Sequence, residues 1–461
     1  MLKILNSLTG DKEEFVPINK NEVLMYICGI TPYSDSHVGH GMSYVIFDVM
    51  KRYLTHKGYQ VRHIQNFTDV DDKIIQRANE NQTNSSDLSK SFIDAYFQDM
   101  ALLGVKDANE YPLATEEISG IIEMIEGLIE KGFAYESQGD VYFRVDSFAD
   151  YGKLSNRSLD GMIAGSRIAV SEAKENPLDF TLWKSSKPEE PSWPSPWGAG
   201  RPGWHIECSA MSLSYLGKSL DIHGGGADLL FPHHENEIAQ SEAFTGQKPF
   251  SKYWIHHGLL QLGSEKMSKS IGNLVTIKDA VSTYGRDAFR IFVLGSHYRN
   301  PLTWSEEALL AARTAAARLE RAVNGVSNSE NPADLFEDGT YRDRFTEAMD
   351  DDFNTPQALA VLFDLSRDLN RADQNGKDVR KARELVRYLA DILGLELSSD
   401  KTLDAELGPF IELLLDSRNR LRAQNNYELA DFIRDSLENL GVSIEDSKTE
   451  TKWNFQSRNQ Q

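Results

Sequence analysis

Residues 22–69 constrain the fold of this chain more strongly than any other segment. EVLMYICGI, over 22–30, is a short apolar run of the kind that forms a buried strand. The turn-rich stretch TPYSDSHVGHG follows, and SYVIFDVMKRYLTHKGY then has apolar residues at helical spacing. A second strand, YQVRHIQNFTD, ends at Thr68 and Asp69. This order predicts a βαβ unit in a parallel sheet, and such sheets bind ligands at the carboxyl ends of their strands.

Length and composition are those of a globular, multidomain protein. The 461 residues suggest about three domains, and 40% hydrophobic with 26% charged residues allows sizeable cores. No apolar run approaches the roughly 20 residues that cross a membrane. The first residues, MLKILNSLTGDKEEF, lack the apolar stretch and cleavage site of a secretion signal. We therefore expect a cytoplasmic protein that does not bind membranes.

The formal net charge of −21 bears on the possible partners. Binding of nucleic-acid phosphates requires Lys and Arg, so this charge argues against such a partner. A local basic face can nevertheless bind nucleic acid, because affinity depends on the local field. The helix SEEALLAARTAAARLERAV is one candidate, since Arg313, Arg318 and Arg321 form either a basic face or a merely solvated one.

Two histidines flank Val38 and Gly39 in the turn of the βαβ unit. His37 and His40 lie where a helix begins, so they can donate to phosphate oxygens, and the helix end itself favours an anion. Gly39 allows a ligand to approach the backbone closely. The alternative is a pair of polar turn residues without a ligand. The position between a strand and a helix favours binding.

A second candidate motif is EKMSKSIGN, residues 265–273. A loop that carries Lys266 and Lys269 can close over a triphosphate and neutralise the charge that develops during reaction. The alternative is a solvated basic loop. The combination of this loop with the earlier HxGH turn, in this order, is more specific than either motif alone.

The two cysteines lie in segments that are rich in other metal ligands. They cannot build a disulfide framework, so they are either buried apolar residues or chemically used. Zinc is bound by thiolates and imidazoles, and also by carboxylates. If HHENE (233–237) is helical, His233 shares a face with Glu237, whereas His234 pairs with Ile238, which cannot ligate. The predicted zinc set is Cys28, Cys208, His233 and Glu237.

Longer stretches of the sequence resemble one family. HVGH and KMSKS resemble the two signature motifs of class I aminoacyl-tRNA synthetases, with Val38 in place of an isoleucine. The stretches MYICGITPY, NFTDVDDKII, PSPWGAGRPGWHIECSAM, DIHGGGADLLFPHHENEIAQ and MDDDFNTPQAL are similar to the cysteinyl-tRNA synthetase family. The similarity covers essentially the whole chain as far as Trp453.

The resemblance implies a reaction in two steps. ATP activates L-cysteine to cysteinyl-adenylate with release of pyrophosphate, and the cysteinyl group then passes to the 3′ end of a cysteine tRNA, tRNA(Cys). The expected catalytic residues are His37, His40, Lys266 and Lys269, which act by positioning and charge stabilisation while Mg²⁺ accompanies ATP. The expected ATP-binding residues are His37, Gly39, His40, Lys266, Ser268 and Lys269. The expected amino-acid pocket is Thr31, Thr68, Trp204, His223 and Asp228, with Asp228 binding the ammonium group.

The same resemblance implies that the zinc recognises the substrate thiolate. Serine differs from cysteine mainly by O for S, and an apolar pocket separates such a pair poorly. A thiolate binds zinc well and a neutral hydroxyl far less, so a zinc that accepts the substrate sulfur would select cysteine directly. We therefore expect one zinc per chain and no need for a hydrolytic editing domain. The resemblance also implies a monomer.

The implied fold is α/β, with a Rossmann-like parallel-sheet catalytic domain that carries an insertion. A helical bundle and a small C-terminal anticodon-binding domain follow. The expected bounds are 1–115 and 201–248 for the split catalytic domain, 116–200 for the connective insertion, 249–304 for the KMSKS-containing stem-contact segment, 305–398 for the tRNA-contacting bundle and 411–461 for the C-terminal domain. Residues 397–406 are predicted as a linker. The run Asp350–Asp352 is predicted as a capping or structural turn, with a metal site as the alternative.

Three other functions are compatible with parts of the pattern. A cysteine ligase of mycothiol synthesis shares the adenylate-forming core, the zinc site and both motifs, but it transfers cysteine to an amino sugar and lacks the anticodon-binding tail. A nucleotidyltransferase also uses HxGH, but it accounts for neither KMSKS nor the zinc set. A non-enzymatic RNA-binding relative does not explain the intact activation motifs. The tail over 411–461 favours the synthetase.

Overall fold

The structure is a computed structural model that describes residues 1–158, 173–262, 265–266, 275–325, 338–397, 401–424, 426–440, 442–446 and 451–455. The chain divides into two compact units, Met1–Leu397 and Ser398–Gln461. Within the described ranges, no helix combines the length and the apolar character needed to cross a membrane.

The larger unit contains thirteen strands and twelve α-helices among its described residues. The strands are β1 (Lys3–Leu5), β2 (Lys12–Glu14), β3 (Glu22–Ile30), β4 (Gln60–Phe67), β5 (Ala134–Ser137), β6 (Asp140–Phe143), β7 (Phe180–Ser185), β8 (Gly200–Pro202), β9 (Leu220–Gly226), β10 (Ser251–His257), β11 (Leu260–Leu262), β12 (Glu265–Lys266) and β13 (Leu302–Trp304). The helices are α1 (Val38–His56), α2 (Asp72–Glu80), α3 (Ser85–Leu103), α4 (Ile118–Glu130), α5 (Trp204–Leu216), α6 (Glu235–Thr245), α7 (Ile277–Tyr284), α8 (Arg286–Leu294), α9 (Glu306–Asn324), α10 (Asp338–Asp350), α11 (Thr355–Gln374) and α12 (Arg380–Ile392).

A parallel sheet of order β10-β9-β3-β4 is the centre of the larger unit. The predicted strands over 22–30 and around 60–67 are confirmed as its members β3 and β4, joined by α1. The apolar run of β3, which does not alternate with polar residues, is typical of a strand in a sheet that is covered on both faces. Because the four strands are parallel, the carboxyl edge of the sheet collects all four strand ends, as the βαβ prediction requires.

Helix α1 begins earlier than its apolar pattern indicates. The helical spacing of apolar residues starts after Gly41, but the helix starts at Val38, with His37 as its N-cap. The His37 ring accepts hydrogen bonds from the backbone N–H groups of Gly39 and His40 at 3.1 and 3.4 Å. Histidine is an uncommon cap residue, so the usual capping signal is missing here. The HVGH motif is thus the cap and first turn of the helix.

The next part of the unit is an antiparallel sheet of order β5-β6-β7-β8. The predicted hairpin around Gln138 and Gly139 is confirmed, and both residues have positive φ, at 56° and 83°. Helix α4 belongs to the core shared with the parallel sheet, where Ile121 and Leu128 are fully buried together with Ile64 of β4. The predicted bounds of the insertion and of the other domains remain predictions.

Helices α8 to α12 share one apolar core with α1. Between α10 and α11, the run Asp350–Asp352 forms the structural turn that the sequence predicts. The Asp352 carboxylate accepts hydrogen bonds from the backbone N–H of Leu5, the Tyr298 hydroxyl and the Arg299 guanidinium, at 2.9, 2.7 and 2.8 Å. The Asp352 side chain therefore joins this turn to β1 and to the segment after α8.

The smaller unit consists of two helices and a hairpin in its described residues: α13 (Lys401–Ala423), α14 (Tyr427–Asn439), β14 (Val442–Asp446) and β15 (Thr451–Phe455). The predicted tail helix and the strand-like stretch that follows it are confirmed as α14 and β14. The predicted linker over 397–406 is wrong from Lys401 onward, because α13 begins there. KTLDAE lacks Gly and Pro and has several good helix formers, so it extends the helix.

Candidate active site and metal centre

The HVGH motif places two imidazoles side by side at the carboxyl edge of the parallel sheet. The rings of His37 and His40 stack with centroids 3.8 Å apart. Each Nδ1 accepts a backbone hydrogen bond, that of His40 from the His37 N–H at 3.5 Å. Both rings therefore carry their proton on Nε2, where it can be donated to an anion. A Cβ at Gly39 would lie 2.9 Å from the His37 ring, so this cap requires glycine.

The segment after the KMSKS motif is bonded directly to the HVGH motif. Val38 N–H donates to the Val275 carbonyl at 3.0 Å, and Ile277 N–H donates to the Ser36 carbonyl at 3.4 Å. On the other side, Lys266 lies in β12, whose partner is β11. Ser268 and Lys269 lie outside the described residues, and only the backbone of Lys266 is described. Their predicted roles therefore rest on the sequence.

One cavity of about 310 Å³ opens beside the two histidines. Of the predicted site residues, it is lined by Cys28, Thr31, His37, Gly39, His40 and Asp228. Ser43, Lys73 and His257 also line it and were not predicted. His257 Nδ1 donates to the Gly258 carbonyl, so its Nε2 accepts from the Ser43 hydroxyl at 2.9 Å. The amino-acid and ATP motifs thus border a common space.

Cys28 is brought into this space by an irregularity in β3. The register between β3 and β4 shifts between Ile27 and Ile30, which is common beside active sites. Gly29 permits the shift, because a Cβ there would overlap the Asn66 carbonyl oxygen at 1.5 Å. The Cys28 thiol consequently lies at the strand end, facing buried side chains from α5, β9 and α6.

Four other potential metal ligands lie around Cys28. Its Sγ lies 3.9 Å from Cys208 Sγ, 3.5 Å from Glu237 Oε1 and 3.3 Å from His234 Nε2. Glu237 Oε1 is also 3.0 Å from His233 Nε2. The ligand atoms of Cys28, His233, His234 and Glu237 all lie within 4.8 Å of one another. The predicted four residues are therefore neighbours, and His234 lies among them.

His234 was not predicted as a ligand, because the i, i+4 spacing selects His233. His234 and Glu237 are i and i+3, which also share a helix face. In addition, Phe231 is extended, so the chain kinks just before α6. The i, i+3 rule was the available signal. Which imidazole completes the predicted set remains open to experiment.

The titratable side chains of this cluster shift one another's pKa values. Burial raises the pKa of the Cys28 thiol, with the neighbouring Cys208 adding to the effect. A hydrogen bond from Cys28 lowers the pKa of Cys208 to about 6. Burial alone would raise the pKa of Glu237, but His223 and His233 hold it well below its usual range. Glu237 and Cys208 raise the pKa of His233 to about 10 against the effect of burial. The anionic forms of Cys208 and Glu237 thus favour a positive charge beside them.

Other histidines orient the two candidate imidazole ligands. His205 Nδ1 lies 2.9 Å from His233 Nδ1, and His256 Nε2 lies 2.8 Å from His234 Nδ1. These contacts leave Nε2 of His233 and His234 directed at the cysteines and Glu237. Partners of this kind fix the tautomer and orientation of metal-binding histidines. Trp204, which is 42% exposed, stacks on the His233 ring with centroids 4.3 Å apart.

His223 lies against the cluster, and neither His223 nor Thr68 lines the cavity. His223 Nε2 is 3.5 Å from Cys28 Sγ and 3.4 Å from Glu237 Oε2, and its ring stacks on Trp254. Thr68 follows β4, and its N–H donates to the Ile30 carbonyl. The predicted pocket residues therefore surround one region, although their contacts with a substrate remain predictions.

The cluster fits a metal ion for two reasons, which are the types of ligand it contains and the buried polar atoms that lack hydrogen bonds. Two thiols, imidazoles and one carboxylate are zinc ligands. Among the described residues, the buried His223 Nδ1 and Tyr26 hydroxyl have no hydrogen-bond partner, and Glu237 Oε2 has only the long contact with the His223 ring at 3.4 Å. Buried polar groups in native structures are normally bonded. An ion at this position would give the group the positive charge that its thiolates and carboxylate require.

Comparisons with known proteins agree with this geometry. Residues 14–314 match the family described as the tRNA synthetases class I (C) catalytic domain, and residues 344–398 match the DALR domain. A cysteine–tRNA ligase of Dehalococcoides mccartyi is 56% identical over 99% of this chain and 100% of its own length. One from Carboxydothermus hydrogenoformans is 48% identical over 98% of this chain and 99% of its own.

Solved structures with a similar fold have distant sequences. Methionyl-tRNA synthetase of Mycobacterium tuberculosis, bound to methionyl-adenylate, aligns with a TM-score of 0.59 and 16% identity, over 81% of this chain and 89% of its own. A leucyl-tRNA synthetase of Agrobacterium radiobacter aligns with a TM-score of 0.60 and 12% identity, over 83% and 86%. These confirm the class I synthetase fold. Together with the near full-length relatives, they show that this chain belongs to the cysteine–tRNA ligase family of class I aminoacyl-tRNA synthetases.

Proposed function

We propose that the chain activates L-cysteine with ATP and transfers it to the 3′ end of tRNA(Cys), with zinc selecting the substrate thiolate. The observation that carries this proposal is the cysteine–histidine–glutamate cluster, which opens through Cys28 into the cavity lined by the HVGH motif. We further infer a cytoplasmic monomer that uses Mg²⁺ with ATP.

The zinc would be held by Cys28, Cys208, His233 and Glu237. Bound there, it would supply an acceptor for the sulfur of the substrate. The cysteines and imidazoles would hold an ion that a thiolate binds well and a neutral hydroxyl far less, so selectivity would come from this difference. Selective binding at this site, rather than hydrolysis of a wrong product, would then account for the rejection of serine.

The protein residues around the cavity would position the other substrate groups. His37 and His40 would donate their Nε2–H protons to ATP phosphate oxygens, and the N-terminus of α1 would add its positive dipole end. Asp228, which lines the cavity, would accept from the substrate ammonium. Lys266 and Lys269 would neutralise charge on the phosphates. The short path from Cys28 to His37 would bring the substrate carboxylate towards the α-phosphate.

Metal content and amino-acid activation test this function together. Wild type is expected to hold one zinc per chain and to support cysteine-dependent ATP–pyrophosphate exchange. Cys208→Ser and His233→Ala are expected to lose zinc and to lose cysteine activation by about 10²-fold or more, since they remove ligands rather than outer partners. Ser212→Ala, a buried serine on the same helix as Cys208, is the matched control.

Two results would contradict the proposed function. One is wild-type protein without zinc. The other is a Cys208→Ser protein that lacks zinc and still rejects serine as strongly as wild type. Charging assays with tRNA(Cys) and with an amino sugar separate the synthetase from the mycothiol-type ligase, which the full-length relatives do not favour.

A further inference from the structure

A serine–histidine pair forms part of the cavity wall beyond the HVGH motif. Ser43 belongs to α1 and His257 is the last residue of β10, and both line the cavity of about 310 Å³. Neither residue belongs to the two signature motifs or to the cysteine cluster. Under the proposed function, other residues of the site would hold the phosphates and the amino acid, so the nucleoside half of ATP is not yet accounted for.

The hydrogen bonds of this pair determine which group donates and which accepts. His257 Nδ1 donates to the Gly258 carbonyl at 2.7 Å, and burial lowers the pKa of His257, so the ring is neutral at neutral pH. Its Nε2 therefore carries no proton and accepts from the Ser43 hydroxyl at 2.9 Å. Because a serine has only one hydroxyl proton, and His257 takes it, Ser43 Oγ can only accept a further hydrogen bond.

The surroundings hold the His257 ring in this orientation. The residue is only 4% exposed, and Phe47 packs edge-to-face on its ring with centroids 5.9 Å apart. Ser43 and Phe47 are i and i+4 on α1, so one face of the helix contacts the ring at both positions. On another side, a Cβ at Gly226 would lie 3.6 Å from the ring. The serine is thus fixed as an acceptor before a ligand binds.

The position of Ser43 on α1 indicates which part of a nucleotide it would meet. His40 and Ser43 are i and i+3 on one helix face, so Ser43 lies about 4.5 Å further along the helix axis. Phosphates bound at the HVGH motif would be followed by the ribose at this depth, because the ribose is bonded directly to the phosphate chain. Leu259 and Leu260, which also line the cavity, offer an apolar wall to the base beyond it.

We propose that Ser43 accepts a hydrogen bond from a ribose hydroxyl of ATP, and that His257 is the positioning residue that makes the serine an acceptor. A ribose hydroxyl can donate to Ser43 Oγ, whereas the corresponding carbon of a deoxyribose cannot. The pair would therefore favour a ribonucleotide over a deoxyribonucleotide. This inference rests on the proposed function, since it takes ATP as the nucleotide that binds in the cavity.

Nucleotide analogues in the cysteine-dependent pyrophosphate exchange assay test this contact. The measured quantity is the ratio of kcat/KM for ATP to kcat/KM for 2′-deoxy-ATP, 3′-deoxy-ATP and GTP. Ser43→Ala should lower the preference for ATP over one of the two deoxy analogues by roughly 3- to 10-fold, the effect of one hydrogen bond. His257→Ala should lower the same preference, because it frees the serine proton. His257→Gln should retain it, since an amide oxygen can also accept that proton.

A purely structural role of the pair would give a different result. Loss of a bond between α1 and β10 would lower kcat/KM for ATP and for all three analogues by the same factor, so the ratios would not change. Thr55→Ala is the matched control, because it removes an exposed hydroxyl of the same helix that donates to the Lys51 carbonyl and does not line the cavity. Its rates and ratios should equal those of wild type. Ser43→Cys, which has a weaker acceptor, repeats the measurement if Ser43→Ala does not fold.

The outcomes separate this inference from the proposed function. Unchanged ratios for both deoxy analogues in Ser43→Ala would overturn the ribose contact. A change in the preference for ATP over GTP alone would place Ser43 against the base, which also overturns it. Both results leave the synthetase function intact. Wild-type protein that supports no cysteine-dependent exchange with ATP would overturn the function itself.

Discussion

Two buried groups of charged residues in the larger unit differ in how completely they are bonded. In the first, the Asp48 carboxylate accepts from Arg52 and Arg290 at 2.8 and 2.6 Å and from the Lys106 backbone N–H at 3.0 Å. Arg290 also donates to the carbonyls of Leu103 and Leu393. The second group is the cluster around Cys28, where buried polar atoms of Glu237, His223 and Tyr26 lack a hydrogen bond among the described residues.

The difference shows that buried charge alone does not indicate a functional site. The Asp48 group joins α1 and α8 to carbonyls at the ends of α3 and α12, and its bonding is complete among the described residues. The Cys28 group has more donors and acceptors than its own side chains can satisfy. Unmet bonding next to a cavity is therefore the better sign of a site that binds an ion or a ligand. The two groups should respond to mutation in opposite ways.

The largest effect on stability is expected for Arg290→Met. It leaves Asp48 buried with one cation fewer, and breaking a buried pair in this way typically costs about 3–5 kcal/mol. Urea unfolding should show this loss, while the zinc content of the folded protein should stay at the wild-type value. Arg380→Met, which breaks a surface pair with Asp378 and changes a side chain that is 72% exposed, is the control. A stable Arg290→Met protein would show that the network is not structural.

The two imidazoles beside Glu237 should differ in their effect on zinc. If the predicted set is right, His234 is an outer partner, and His234→Ala should weaken zinc binding by about 10- to 100-fold. His233→Ala should abolish it. Competition with a chelator measures both affinities, and unfolding in urea should change less than for Arg290→Met. The reverse order of the two variants would make His234 the ligand and the predicted set wrong.

Acid should weaken the Asp48 group in a defined direction. Burial alone would raise the pKa of Asp48, but Arg290 and Arg52 lower it below its usual value. The network therefore stabilises the fold fully above the unfolded-state pKa of about 3.9, and this contribution is lost as pH falls through the lower folded-state value. The urea midpoint of wild type should drop more between pH 5 and pH 3 than that of Asp48→Asn. Equal drops would contradict the predicted coupling.

Elements with a clear periodicity were predictable from the sequence. The apolar run of β3, the helical spacing of α1 and α9, and the turn at Gly139 each have a local cause. The start of α1 was not predictable in this way, because its cap is a histidine. The helical start of α13 was missed since polar helix formers resemble a linker when their packing is unknown.

The candidate site was predictable only in part. Spacing relates His233 to Glu237, and the rarity of cysteine draws attention to Cys28 and Cys208. The approach of His234 depends on the kink at Phe231, which is a property of the folded chain. The outer histidines come from β10 and α5, so their contacts arise from sheet order rather than from local sequence.

The three glycines that end β9 determine which substitutions the chain can tolerate at this strand end. A Cβ at Gly224 would lie 2.5 Å from the Phe47 ring, and one at Gly225 would lie 3.0 Å from the His234 ring. Each glycine in a strand interior weakens the strand by roughly 0.5–1 kcal/mol relative to alanine. The glycines thus lower the stability of the strand, but they leave room for the neighbouring rings. At these positions even alanine, ordinarily the mildest replacement, should be tolerated less well than large changes on the exposed face of a helix.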